Sequence, residues 1–202
     1  MEETYHSKHG AIQEAYHVFI KSGLDIFENH SKIALLEIGF GTGLNCFITF
    51  LEALKRNLKI DYIGVEAYPL GIEEIEKLNY VKELNAKKEA KIFDKIHSTP
   101  WNEKQKLRSF FSLTKRRQFF EEIDDINKFN LIYFDAFGAR VQPELWTESM
   151  FKKMFDSLKP NGVLVTYAAK GSVRRAMQTV GFSIEKLPGP PGKREMLRAR
   201  KH

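Results

Sequence analysis

Short apolar runs alternate with amphipathic stretches along most of the chain, and the alternation predicts strands and helices in turn. Ala15, Tyr16, Phe19, Ile20 and Leu24 recur at roughly helical spacing, which predicts an amphipathic helix over 13–28. Ile33–Ile38 is too short an apolar run for a helix and reads as a buried parallel strand. A helix over 44–54, a second strand at Ile60–Glu66 and a second helix over 72–84, started near Pro69, follow. Residues 85–130 are the least legible; 107–113 and 118–123 read as strands, with Lys115-Arg116-Arg117 as a basic turn between them. The pattern clears at Phe129-Asn130-Leu131-Ile132-Tyr133-Phe134-Asp135, a buried strand ending in an acid. A helix opened by Pro143 and running to 158, a turn at Lys159-Pro160-Asn161-Gly162, a strand over 163–167 and a helix over 171–180 come next. Residues 182–187 and 195–199 then flank Pro188-Gly189-Pro190-Pro191-Gly192, which predicts an antiparallel pair joined by a stiff loop. Strand–helix alternation closed by an antiparallel pair predicts an α/β sheet, parallel except at one edge, in a single domain over 1–202.

The first strand runs into Glu37-Ile38-Gly39-Phe40-Gly41-Thr42-Gly43-Leu44-Asn45, with three glycines at alternate positions before a helix. Glycines there let the backbone turn sharply and approach a ligand. The helix that follows offers unpaired N–H groups and partial positive charge to an anionic ligand. Glu66 closes the second strand 23 residues after Gly43, where an acid is placed to bind ribose hydroxyls. The two features read as a nucleoside-cofactor crevice. Its spacing is not the dinucleotide Gly-x-Gly-x-x-Gly; E-x-G-x-G-x-G resembles the first motif of Rossmann-like S-adenosylmethionine-dependent methyltransferases.

Composition narrows the field. A hydrophobic content of 43% with 16 Phe is ample for a packed core, and a single cysteine excludes both an intramolecular disulfide and a Cys-based metal site. The polar N-terminus and the lack of a long apolar run predict a cytoplasmic protein without a membrane segment. A net charge of +6, with basic clusters at Lys115-Arg116-Arg117, Arg174-Arg175, Lys193-Arg194 and Arg198-Ala199-Arg200-Lys201, suits a polyanionic partner, but charge alone fits a solvated lysine-rich surface equally well.

Asp135 is the leading candidate for chemistry. If Ile33–Ile38 and the strand ending at Phe134 flank the point where strand order reverses, Asp135 faces the bound sulfonium. Methyl transfer is an in-line displacement, gained mainly by positioning and by exclusion of water. A carboxylate there suits an amine acceptor, whose N–H groups it holds. The amine must be neutral to attack; for a lysine-like amine of pKa ~10, deprotonation at pH 7 costs about 4 kcal/mol. Asp135 can orient the amine and take or relay its proton, with apolar neighbours such as Phe137 offsetting its preference for the ammonium. The alternative is a plain strand-end turn residue. His6 and His9, three apart with no third ligand, read as loop residues and predict no metal. Cys46 reads as a buried, inert thiol and Trp146 as part of a helix's core face. Lys193 and Arg194, after the stiff loop, could hold phosphates near the crevice or simply be solvated.

These motifs sit among others with the same kinship. Tyr5-His6-Ser7-Lys8-His9-Gly10-Ala11, Gln13-Glu14 and His17-Val18-Phe19-Ile20 resemble the lead-in of the MnmC/MnmD tRNA methyltransferase family. Asp135-Ala136-Phe137, Pro143-Glu144-Leu145-Trp146-Thr147, Thr166-Tyr167, Lys170-Gly171, Val173-Arg174-Arg175 and Gly189-Pro190-Pro191-Gly192-Lys193-Arg194-Glu195-Met196 continue the resemblance in order over most of the chain. It implies a class I methyltransferase fold: a mostly parallel seven-stranded sheet with one antiparallel edge strand and helices on both faces. It also implies S-adenosylmethionine as donor and, as acceptor, the aminomethyl nitrogen of a wobble 5-aminomethyl-2-thiouridine in tRNA. Carried across, Gly39, Gly41, Gly43 and Glu66 hold the cofactor, with Glu37, Phe40, Asn45 and Gln13 beside them. Asp135 faces the amine; Tyr5, Phe137, Tyr167, Lys193 and Arg194 belong to the substrate side, and the first 30 residues form a lid and helix. No second glycine-rich nucleotide loop precedes His202, so the chain resembles the form without the flavin-dependent oxidase domain. The acid that contacts the adenine base is not placed: Asp124, Asp125 or neither. Aminopropyl or methyl transfer to a small amine, and a catalytically silent RNA- or cofactor-binding subunit, are the competing readings. The basic surface disfavours the polyamine, and Glu37, Gly41, Glu66 and Asp135 together disfavour silence.

Overall fold

A computed structural model describes residues 10–27 and 32–202 of the chain. Eight strands are present: β1 (Ile33–Ile38), β2 (Ile60–Glu66), β3 (Lys104–Arg108), β4 (Phe111–Arg117), β5 (Phe129–Phe134), β6 (Leu158–Thr166), β7 (Ser183–Pro188) and β8 (Glu195–Arg200). They form one sheet in the order β3-β4-β2-β1-β5-β6-β8-β7. The five central strands are parallel, whereas β3 pairs antiparallel with β4 and β8 pairs antiparallel with both β6 and β7. Four helices matter for the site: α1 (Leu44–Arg56), α2 (Ala90–Ser98), α3 (Glu148–Ser157) and α4 (Gly171–Thr179).

Because the strands alternate their side chains, the sheet feeds two cores. Leu35, Tyr62, Leu113, Tyr133 and Val165 pack with α1, α2 and the N-terminal helical segment on one face. Leu36, Ile38, Ile63, Ile132, Phe134 and Leu164 pack with α3 and α4 on the other. Chain order reverses between β1 and β5, whose ends are matched in register, Ile38 opposite Phe134. The crevice of an open α/β sheet lies above such a reversal.

The count is eight strands rather than seven, and antiparallel pairing occurs at both ends of the sheet. The extra strand is β3, and it overturns the basic turn expected at Lys115-Arg116-Arg117, which lies inside β4. There Phe111, Leu113 and Lys115 point inward. Lys115 is tolerated because its Nζ donates to the His97 carbonyl at 2.7 Å and lies 4.9 Å from the Trp101 ring centre. Residues 118–123, expected as a strand, contain instead a single 3₁₀ turn at Phe120–Glu122. The helix expected over 72–84 breaks into two turns, Ile72–Ile75 and Tyr80–Glu83, separated at Asn79. Illegible in the sequence, α2 buries Ile92, Phe93 and Ile96. The helix expected from Pro143 to 158 is interrupted at Thr147, which leaves a 3₁₀ turn at Pro143–Trp146 and caps α3 by accepting from Met150 N. Lys159-Pro160-Asn161-Gly162 is a bulge within β6: the register to β5 shifts there and Asn161 takes φ 64°. At the N-terminal end, helical backbone over 10–15 passes into a π-helix at Tyr16–Lys21 and a 3₁₀ turn at Leu24–Phe27. Tyr5, His6, His9 and the first part of the expected lid lie outside the described residues. No described helix is long and apolar enough to cross a membrane.

Gly64 in β2 supports the glycine turn from below. A Cβ there would sit 2.2 Å from Phe40 Cδ2 and 3.1 Å from its Cγ, and Phe40 is itself buried against Trp101. Overpacking of this kind costs about 1–3 kcal/mol. Gly64→Ala is expected to lower unfolding stability by that amount in a denaturant titration and to weaken nucleoside-cofactor binding, since Phe40 also lines the cavity above. A variant within 0.5 kcal/mol of the parent, roughly the scatter of a neutral surface change, would contradict this packing.

Candidate functional site

A cavity of about 720 Å³ opens over the C-terminal ends of β1, β2, β4 and β5. That is ample for a drug-sized ligand. Gly39, Phe40, Gly41, Thr42 and Asn45 form its floor. The turn is built from what glycine alone allows. Gly39 holds φ +86°, and a Cβ on it would meet the Asp135 carbonyl oxygen at 2.7 Å. Gly41 holds φ +46°, and a Cβ on it would have no neighbour closer than the Gly39 carbonyl oxygen at 4.0 Å, which leaves room for a ligand beside the turn. Gly43, also at positive φ, does not line the cavity; it lets the turn close on Phe40, Ile96 and His97.

Glu66 ends β2 on the cavity wall. One of its carboxylate oxygens accepts from Gly41 N at 3.0 Å and the other from Tyr68 N at 3.0 Å. The carboxylate is thereby held still beside the glycine turn, at the place expected of a ribose-binding acid.

Glu37 is not on the wall. It is fully buried one layer beneath, where it accepts from Asn45 Nδ2 at 2.9 Å and from the Tyr62 hydroxyl at 2.8 Å. Burial drives its carboxyl well above the usual carboxylate range, against the pull of those two donors. The same Asn45 amide donates to Asp135 Oδ2 at 2.8 Å. Asp135 follows β5, its N–H bonded to the Ile38 carbonyl, and its side chain borders the cavity. Withdrawal from water pushes its pKa up to about 7, opposed by the Asn45 bond and by Lys193 and assisted by Glu14. Carboxylates at this value exchange protons near neutrality.

The far side of the cavity carries Glu14, Tyr167 and Phe137. Tyr167 donates to the Ala136 carbonyl at 2.8 Å, and Lys193 lies 4.0 Å above its ring while reaching both carboxylate oxygens of Glu14. The C-terminal loop is thus tied to the N-terminal helix across the site. Phe137 is 72% exposed, a large apolar surface left at the mouth. Arg194 is exposed and does not line the cavity; its carbonyl accepts from Gly189 N. Gln13 is likewise exposed and off the wall, because one helical position later Glu14 is the residue that turns inward.

Neither aspartate raised as a candidate for the adenine base lies at the cavity. Asp125 is committed to Arg116 and Lys128, Asp124 is exposed, and neither borders the cavity. Phe119, Phe120 and Glu121 do, directly after β4. They fall within 118–123, which the apolar pattern reads as a strand but which is a loop with a single 3₁₀ turn. Cys46 is buried with its thiol pushed well up, and Trp146 belongs to the core, donating to the Phe137 carbonyl. Among the described residues no group of three or more His, Cys, Asp or Glu could hold a metal ion.

Residues 76–202 match a family model described as S-adenosyl-L-methionine-dependent methyltransferase. The tRNA 5-methylaminomethyl-2-thiouridine biosynthesis bifunctional protein MnmC of Leptospira borgpetersenii is 31% identical over 97% of this chain and 32% of its own length. The protein of the same name from Leptospira interrogans is 32% identical over 97% of this chain and 32% of its own. The chain therefore spans about a third of the length of these curated relatives. Among solved structures, MnmC2 from Aquifex aeolicus superposes with a TM-score of 0.71 at 22% identity, covering 92% of this chain and 59% of that one, and shares its fold. Together with the glycine turn and the acid at the end of β2, these findings place the chain in the S-adenosyl-L-methionine-dependent methyltransferase family.

Proposed function

We propose that the protein methylates the exocyclic aminomethyl nitrogen of wobble 5-aminomethyl-2-thiouridine in tRNA, giving the 5-methylaminomethyl product. The observation that carries this is Asp135: a carboxylate of near-neutral pKa on the cavity wall, one residue past the strand that pairs with the glycine-turn strand. The likeness to MnmC proteins over nearly the whole chain supports the tRNA acceptor.

The residues fit the cofactor. Gly41 leaves room beside the turn, Glu66 is fixed next to it for ribose hydroxyls, and Phe119, Phe120 and Glu121 flank the end beyond β4 for the base. When bound, S-adenosylmethionine supplies a methyl activated on a positively charged sulfur. Asp135, as carboxylate, accepts an N–H of the substrate amine and sets the nitrogen lone pair toward that methyl. It also receives or passes on the proton the amine must lose. Asn45 anchors Oδ2, which leaves the other carboxylate oxygen for the substrate. Tyr167 and Phe137 offer faces to the uracil ring, and the Lys193–Glu14 tie helps exclude water.

Purified protein is expected to transfer labelled methyl to tRNA that carries the aminomethyl group and not to tRNA that lacks it. Loss of labelling in the presence of bound cofactor would discard this acceptor. Asp135→Ala should keep cofactor binding and lose at least about 10²-fold in turnover, the usual scale for a positioned acid–base group.

Two pH effects follow from the raised Asp135 pKa. Turnover should rise as pH passes through about 7, and this limb should vanish in Asp135→Asn. Asn45→Leu removes a donor that favours the carboxylate, so it should move the midpoint upward; an unmoved midpoint would disconnect Asn45 from Asp135. For stability the sign is the reverse. A carboxyl whose folded pKa is raised favours the fold below its unfolded value of about 3.9, and that contribution is lost as pH climbs to about 7. Asp135→Asn should therefore show a smaller fall in unfolding stability between pH 4 and pH 7 than the parent, read by thermal melts with the acidic limb of both proteins compared.

A further inference from the structure

A second concavity lies at the opposite end of the sheet, at the N-terminal ends of β2 and β4 and beside β3. It is lined by Lys32, Lys59, Lys104, Lys106 and Arg108, with Ser109–Ser112 as its floor, and no helix residue contributes. All five cations are exposed. Asp61, a carboxylate of the neighbouring β2, is already engaged: it accepts from Lys104 Nζ at 2.7 Å and from Ser112 Oγ at 2.8 Å. Lys32, Lys59, Lys106 and Arg108 have no ion-pair partner among the described residues.

The placement is not that of scattered solubilising charge. β3 runs antiparallel to β4, so it leads from beside the cavity end of the sheet toward its base. Lys104, Lys106 and Arg108 are exposed at alternate positions along it, while Leu107 is buried. Lys104 and Lys106, on the regular part of the strand, are about 7 Å apart, a spacing suited to successive backbone phosphates rather than to one compact anion, and the register shifts before Arg108. The run of β2 from Ile60 to Glu66 sets the concavity on the order of 20 Å from the catalytic end of the sheet. A free nucleotide cannot touch both places; a folded RNA can.

We propose that this basic groove and the β3 row leading to it form a second RNA-backbone site, which holds phosphates of the same tRNA outside the nucleotide under reaction. The inference rests on the tRNA reading above. Binding through phosphates gives affinity and orientation without reading sequence. It lets the enzyme recognise the tRNA as a body while the cavity checks only the modified base.

The test is the charge-reversed pair Lys59→Glu/Lys106→Glu, compared with the parent on two substrates: whole tRNA with the aminomethyl group, and a trinucleotide carrying the same nucleoside. The expected result is a KM for tRNA raised about tenfold or more, trinucleotide kinetics unchanged, and a salt dependence of tRNA binding shallower by about 1.5 in log–log slope, the share of two phosphate contacts. Equal losses on both substrates, or tRNA binding with the parent's affinity and salt slope, overturn the groove. Direct tRNA binding, measured without turnover, keeps the outcomes separate. If the parent methylates neither substrate, the acceptor is wrong, and the binding comparison still decides whether the groove takes RNA. Preference of the groove for anionic vesicles over tRNA also overturns the proposal.

Discussion

One side-chain amide joins the glycine turn to the acid that follows β5. Asn45, in the first turn of α1, gives one hydrogen to Glu37 beneath the glycines and the other to Asp135 at the end of the neighbouring strand. Each of these carboxyls is costly to withdraw from water on its own, and the shared donor offsets part of that cost for both. Tyr62 completes the arrangement from β2. Three adjacent strands, β2, β1 and β5, are thereby locked at their active ends by side chains as well as by ladder bonds. On the proposed reaction, this unit would fix where the acceptor nitrogen sits relative to the donor methyl, and in-line transfer depends on that distance.

Glu37 is instructive in this light. It belongs to the motif that identifies the cofactor turn, yet it is sealed beneath the turn, and its service is to orient Asn45 and Tyr62. A motif residue need not touch the ligand the motif binds.

The sequence disclosed the central strands readily because each is a continuous buried run, and the crevice because glycines at alternate positions have few other uses. Asp135 was legible as an acid closing such a run. What escaped was local chemistry that defeats simple patterns. Lys115 looked like turn material, but its buried stem and its bond to the His97 carbonyl make it a strand residue, and misplacing it hid β3 and the cavity residues after β4. Thr147 stopped a helix that periodicity would have continued, by offering its hydroxyl as a cap. Gln13 and Glu14 differ by one helical position, about 100° of rotation, which no pattern of apolar residues could resolve over so short a segment. The groove at the base of the sheet was invisible for another reason. Its cations come from three separate stretches, none of which stands out as a charge run.

The cations on β3 have a bearing beyond ligands. As the outermost strand, β3 presents one side of its backbone unpaired, and such an edge is a template on which a second molecule can extend the sheet. Five residues long, irregular in register past Lys106, and lined with like charges, it is a poor template. Removing those charges would therefore do more than alter recognition: it would expose the protein to self-association through strand addition, most readily in concentrated solution and at high ionic strength, where the remaining repulsion is screened.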